Sequence, residues 1–166
     1  LYNFIFGAST DTKIKTYYHL LEPLFHTMSD HNLFLNLGYH DNNESFPNSI
    51  VTTQENMVEH VTRDFNKSGL WLDVGCGTGA PACHLSKMYD DIEIEGINIV
   101  ENQIVKARLL AEQKEVNDKV QFLFGDACNM YSENESYENI YAIESAFHFE
   151  NKLNFITEAH RTLKPD

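Results

Sequence analysis

The run Leu72-Asp73-Val74-Gly75-Cys76-Gly77-Thr78-Gly79 limits this chain more than any other feature it has. Three alternating glycines stand directly behind a short apolar segment, residues 70–74, which predicts a strand turning sharply into a helix. Without Cβ atoms at Gly75 and Gly77 the backbone can double back tightly, and a ligand can lie against it. The helix predicted over 81–89 opens with unpaired N–H groups that suit a carboxylate or a phosphate. In an open α/β sheet such a turn is where nucleotide-like ligands bind.

The segments that follow agree with such a sheet. Residues 93–97, 120–124 and 139–143 read as strands, and 101–115 and 151–163 as helices, the last with Leu153, Ile156, Ala159 (or His160) and Leu163 along one side. Strands alternating with helices imply right-handed crossovers and a parallel sheet. Ahead of the glycine run, residues 11–28 carry Ile14, Tyr17, Tyr18, Leu21, Leu24, Phe25 and Met28 at helical spacing. Residues 30–49 are loop-like. A second helix is expected to begin near Thr52, where Thr52 and Glu55 form a capping-box pattern, and to bury Met57, Val58, Val61 and Phe65. The expected organisation is an N-terminal helical cap and lid over 1–66 and a ligand-binding core over 67–166.

Charge narrows the partners. At 166 residues and a formal net charge of −13, the surface repels phosphate backbones and anionic headgroups, so neither nucleic acid nor a membrane is an expected partner. No apolar stretch approaches the ~20 residues that span a bilayer. The apolar opening, residues 1–8, is short and follows no basic region, so it does not read as a signal peptide. Cys76, Cys83 and Cys128 are odd in number and lack close-pair spacing. They imply neither a disulfide framework nor a metal site and fit a reducing cytoplasm.

Three readings of the glycine turn compete. It could be a tight turn with no ligand. It could bind a dinucleotide, because Gly75-x-Gly77-x-x-Ala80 satisfies the nucleotide fingerprint. Asp73 would then oppose the pyrophosphate, and Asn98 stands where an acid should clamp the ribose. The third candidate is S-adenosyl-L-methionine, or its product S-adenosyl-L-homocysteine, which has no phosphate and carries an ammonium that an acid beside the glycines would favour. The residues fit the third reading best.

At this point a family resemblance enters. Residues 72–79 resemble the first motif of the class I S-adenosylmethionine-dependent methyltransferases. Gly96-Ile97-Asn98-Ile99-Val100-Glu101-Asn102-Gln103 is similar to the second-strand end of the subgroup that includes tocopherol, sarcosine and sugar O-methyltransferases. Gly125-Asp126-Ala127 resembles the adenine-contacting motif, and residues 141–149 the fourth-strand segment that flanks the methyl group. Leu37-Gly38-Tyr39 resembles the subgroup's lid. The resemblance implies a Rossmann-like doubly wound parallel sheet with N-terminal helices. It also implies a cofactor site made of Asp73, Gly75, Cys76, Gly77, Gly79, Asn98, Ile99, Gln103, Asp126, Ala127, Glu144 and Tyr39.

Methyl transfer is an in-line displacement in which the protein supplies alignment and, for an oxygen nucleophile, a base. His148, just past the fourth strand, is the candidate base, since its ordinary pKa lies near working pH. The subgroup often carries two adjacent histidines in this segment, and here the first is Phe147. A histidine packed under the lid with no proton to move is the competing reading. His19, His26, His31, His40, His60, His84 and His160 read as surface or packing residues. Tyr17 or Tyr18 could also cover the site. The expected acceptor is an oxygen or nitrogen of a small molecule, the alternative being a non-catalytic cofactor-binding module. A complete class I domain has seven strands, so this sequence is expected to be either a fragment or a truncated chain that lacks the C-terminal strands. The fourth strand would then be an exposed edge that invites pairing with a second copy.

Overall fold

A computed structural model describes residues 10–28, 33–41 and 49–165. The expected signal-free opening, His31 and residues 42–48 lie outside the described residues. Helix α1 is Thr10–Met28 and α2 is Ile50–Thr62. Strand β1 (Gly69–Val74), helix α3 (Ala80–Met88), strand β2 (Ile92–Asn98), helix α4 (Glu101–Gln113) and strand β3 (Val120–Phe124) then alternate. Strand β4 (Asn139–Tyr141), a 3₁₀ turn at Ala146–His148 and helix α5 (Lys152–Thr162) complete the order.

The strands form one parallel sheet in the order β3-β2-β1-β4. Strands are added outward from β1 through β2 to β3 and then on its other side as β4, so the strand order switches between β1 and β4 and opens a crevice at their carboxyl ends. Trp71, Ile94, Phe122 and Tyr141 face one side and form a buried cluster with Val58 of α2, Leu85 of α3 and Ile104 of α4. Leu72, Val74 and Ile97 face the other side and pack with Tyr137 and Phe155. The run Trp71–Val74 of β1 is buried throughout, as a central parallel strand covered on both faces requires, whereas β2 alternates, with Ile92 and Ile94 buried and Glu93 exposed. Among the described residues, no helix is long and apolar enough to cross a membrane.

Three local expectations change. Helix α2 starts at Ile50, capped by Ser49, whose hydroxyl accepts the Val51 N–H at 3.2 Å. Thr52 lies inside the helix, where a hydroxyl has no end to cap, and Val61 is on the exposed face. Strand β4 stops at Tyr141 because the chain bends at once toward the site. In α5, Leu153 (74% exposed) and Ile156 (58%) face outward while Phe155 and Thr162 are buried. Asn151 caps α5 by accepting the N–H groups of Leu153 and Asn154. Arg161 ties its far end to the Ser132 and Met130 carbonyls. These ties set the rotation, which apolar spacing alone did not.

Candidate functional site

The floor of the site is placed by the ends of β1, β2 and β4. The turn after β1 is fastened to the end of β2, with the N–H groups of Gly75 and Cys76 both donating to the Ile97 carbonyl at 2.8 and 3.1 Å. Gly75 (φ +75°) and Gly77 (φ +55°) adopt left-handed backbone, which glycine adopts at little cost. A Cβ at Gly75 would lie 2.5 Å from the Ser145 Cβ. That close approach lets the Ser145 hydroxyl donate to the Val74 carbonyl at 2.6 Å. The segment behind β4 is thereby pinned against the end of β1, which sets Glu144 and His148 over the glycine turn.

Asp73, from β1, forms the floor of the resulting cleft. It is buried, and burial pushes its carboxyl from the usual 3.8 up to about 7, against a smaller opposite pull from the Tyr141 phenol. Its Oδ2 finds no hydrogen-bond partner. Farther along, the Asn98 side-chain amide donates to Gln103 Oε1 at 2.7 Å. That contact fixes the Gln103 amide so that its Nε2, buried and without a partner, remains to donate. Both side chains line the cleft, together with Gly75, Cys76, Gly77, Ile99 and Glu144. The cleft continues over Gly75 and Asn98 to Asp126 and Ala127. Asp126 is exposed there, one oxygen accepting the Cys128 N–H at 2.8 Å.

One wall comes from outside the sheet. Residues 33–41 cross the glycine turn, with the Thr78 hydroxyl donating to the Leu33 carbonyl. Asn36 and Gln54 of α2 exchange side-chain-to-backbone hydrogen bonds at 3.4 and 2.7 Å. The Leu37 N–H meets both Glu144 carboxylate oxygens. A Cβ on Gly77 would lie 2.9 Å from the Leu35 Cδ1, so the strap itself already claims the space that the missing side chain leaves.

At the mouth, His148 sits within an aromatic group. Its ring centroid is 5.9 Å from Tyr17, 5.7 Å from Tyr18 and 4.2 Å from Phe147. Burial, with the charge of Lys152 adding, lowers the His148 pKa from 6.5 and keeps the imidazole neutral at pH 7. The Tyr18 phenol is pushed up to about 12 by burial, then by Tyr17 and Glu144, and stays protonated.

The fold therefore brings Asp73, Gly75, Cys76, Gly77, Asn98, Ile99, Gln103, Asp126, Ala127, Glu144 and His148 to one continuous cleft. Two expected residues stand elsewhere. Gly79 caps α3, where a Cβ would meet Phe122 and Ala107. The Tyr39 ring stacks on His60 at 4.2 Å and does not line the cleft. His84 likewise engages Glu59 of α2, at 3.0 Å. Leu33, Leu35, Asn36 and Ser145 were not among the expected site residues; Ser145 falls in the 141–149 segment, but its tie to Val74, like the contacts of the other three, runs to a residue distant in the chain.

Asp73 Oδ2 and Gln103 Nε2 are buried polar atoms that still need partners. An unpaired acceptor beside the glycine turn fits an ammonium, and an unpaired amide donor one helical turn past β2 fits a ribose hydroxyl. The residues present thus fit S-adenosylmethionine.

Residues 72–166 match the family model described as a methyltransferase domain. The chain is 34% identical over 122 residues to a sterol 24-C-methyltransferase of Pneumocystis carinii, covering 74% of this chain and 32% of that protein. It is 31% identical over 138 residues to the O-methyltransferase rstn1 of Aspergillus nomiae, covering 80% and 59%. Among solved structures, the [4+2]-cyclase SpnF superposes with a TM-score of 0.83 at 25% identity, covering 95% of this chain and 58% of that one. The chain therefore spans between a third and three-fifths of the length of these proteins.

Proposed function

Because this chain belongs to the class I S-adenosylmethionine-dependent methyltransferases, with S-adenosylmethionine as methyl donor, we propose that it methylates an oxygen or nitrogen of a small molecule, with His148 as the base. S-adenosylmethionine supplies an electrophilic methyl group on a sulfonium, open to in-line attack. Asp73 receives the ammonium, and the backbone N–H groups at the head of α3 receive the carboxylate. Gln103, held by Asn98, binds the ribose, and Asp126 with the Ala127 backbone faces the adenine. Glu144 anchors the strap that closes the wall and excludes water.

The observation that carries the catalytic part is the neutral imidazole of His148 at the cleft mouth. A neutral ring nitrogen can take the acceptor's proton as the new bond to the methyl carbon forms. The surrounding aromatics, Tyr17, Tyr18 and Phe147, favour an acceptor with an apolar body, and the net charge of −13 disfavours a polyanion. The relative named as a sterol 24-C-methyltransferase supports a second reading in which the acceptor is carbon, and His148 removes the proton after attack. The likeness to a protein named a [4+2]-cyclase supports a third, in which the cofactor site is kept and methyl transfer is not the reaction. Labelled-methyl turnover with hydroxyl, amine and alkene acceptors separates the three. Label in none of them, with cofactor binding intact, would favour the third.

A further inference from the structure

Asp73 and Tyr141 are direct partners in the β1–β4 register. Asp73 is 2% exposed and Tyr141 3%, and each carries a side-chain oxygen without a hydrogen-bond partner, Oδ2 of the acid and the phenol hydroxyl. On its other side Asp73 pairs with Gly96, which offers no side chain. The phenol is near enough to favour the ionised carboxyl but falls outside ordinary hydrogen-bond geometry, so both atoms remain unsatisfied. Two orphaned groups, one donor and one acceptor, side by side under a cleft are costly. They are relieved together once the carboxyl ionises and the phenol turns to donate to it.

We propose that Tyr141 is a positioning residue of the cofactor site: its phenol donates to the Asp73 carboxylate and holds it aimed at the ammonium of the bound cofactor. This rests on the reading that Asp73 receives that ammonium. Tyr141 does not line the cleft and acts only through Asp73.

Among the described residues, the phenol is the one group that aids ionisation of Asp73. Cys76 of the turn and Cys83 of α3 are the other titratable groups coupled to Asp73, and burial holds both thiols protonated. Lys87 and Lys114 act on Cys83 rather than on the acid. Before a ligand arrives, the Asp73 carboxyl is half-protonated near pH 7. Binding a cation there releases a proton, so affinity should climb with pH up to that value and level off above it. A charge-assisted hydrogen bond of ordinary strength moves that midpoint by about one pH unit.

The test is calorimetric titration of S-adenosylhomocysteine into the wild-type chain, Tyr141→Phe and Asp73→Asn between pH 5.5 and 8.5. Tyr141→Phe should bind about tenfold more weakly than wild type at pH 6 and within about twofold at pH 8.5, its midpoint displaced upward. Asp73→Asn should bind weakly with a flat profile. A uniform loss at every pH in Tyr141→Phe, or an unchanged profile, overturns the positioning role while the cofactor site stands. No binding by wild type, or a wild-type profile in Asp73→Asn, overturns the cofactor-site reading and this inference together.

Discussion

Glu144 receives the backbone N–H of Leu37 on both carboxylate oxygens, at 3.2 and 3.1 Å, across 107 positions of sequence. Glu144 holds left-handed backbone there, φ +49°, which a side chain other than glycine adopts only when its surroundings fix it. The fixing comes from Ser145, whose hydroxyl is tied to Val74. One residue thus connects the strap over the cleft to the strand beneath it.

Removing that connection should loosen the strap without unfolding the sheet. Glu144→Ala forfeits a charge-assisted hydrogen bond at a partly exposed site and should weaken S-adenosylhomocysteine binding by roughly tenfold. Limited proteolysis should find residues 33–41 cut faster than in wild type. Equal cleavage rates would show that the Thr78–Leu33 and Asn36–Gln54 ties hold the strap without Glu144.

Gly77→Val places a branched Cβ against Leu35 and forces φ +55° on a residue that resists it. Cofactor binding should be lost to below calorimetric detection. Unchanged affinity would remove the cofactor from this turn.

His148→Ala should lower turnover roughly 10²–10⁴-fold for a hydroxyl acceptor. Cofactor affinity should change little, the pattern for a contact made in the transition state. Since burial lowers the His148 pKa, the acid limb of the wild-type rate profile should have its midpoint below 6.5. Full turnover in the variant would make His148 a packing residue.

Asp73→Asn should stabilise the ligand-free chain at neutral pH even as it weakens cofactor binding. The folded carboxyl, raised from 3.8 to about 7, keeps its proton where the unfolded one has lost it. Stability therefore falls as pH rises through that window, and the burial cost is complete above pH 7. At ~1.4 kcal/mol per pKa unit, the variant's advantage is bounded at about 4 kcal/mol at pH 8 and vanishes near pH 4. Thermal melts across that range measure it. A constant difference between the two chains would refute the buried-acid account.

Much of the core was legible because its signals are local. The 120–124 strand falls where expected, and the other strands and core helices shift by one or two residues at their ends. Alternating glycines after an apolar run, with Asn98 at the end of β2 and Gln103 in the first turn of α4, located the sheet side of the cleft, while Leu33, Leu35 and Asn36 of the strap also line it. The rotation of α5 was read wrongly, because Leu153 and Ile156 satisfy apolar spacing while Phe155 is the side chain the sheet accepts. Tyr39 was expected at the cofactor, and its ring stacks on His60 instead.

The sequence by itself determined the order of strands and helices, the parallel sheet and the glycine turn, since each follows from periodicity and from backbone that only certain residues adopt. Tertiary structure alone decided that Leu35 fills the space over Gly77, that Glu144 clamps Leu37, that Ser145 ties the chain to Val74 and that Tyr141 lies beside Asp73. Those contacts join residues separated by tens of positions, and the β1–β4 register brings Asp73 and Tyr141 together. A buried acid looks the same in sequence as an exposed one. Its shift to about 7 arises from the water excluded around it, which only the packed chain can exclude.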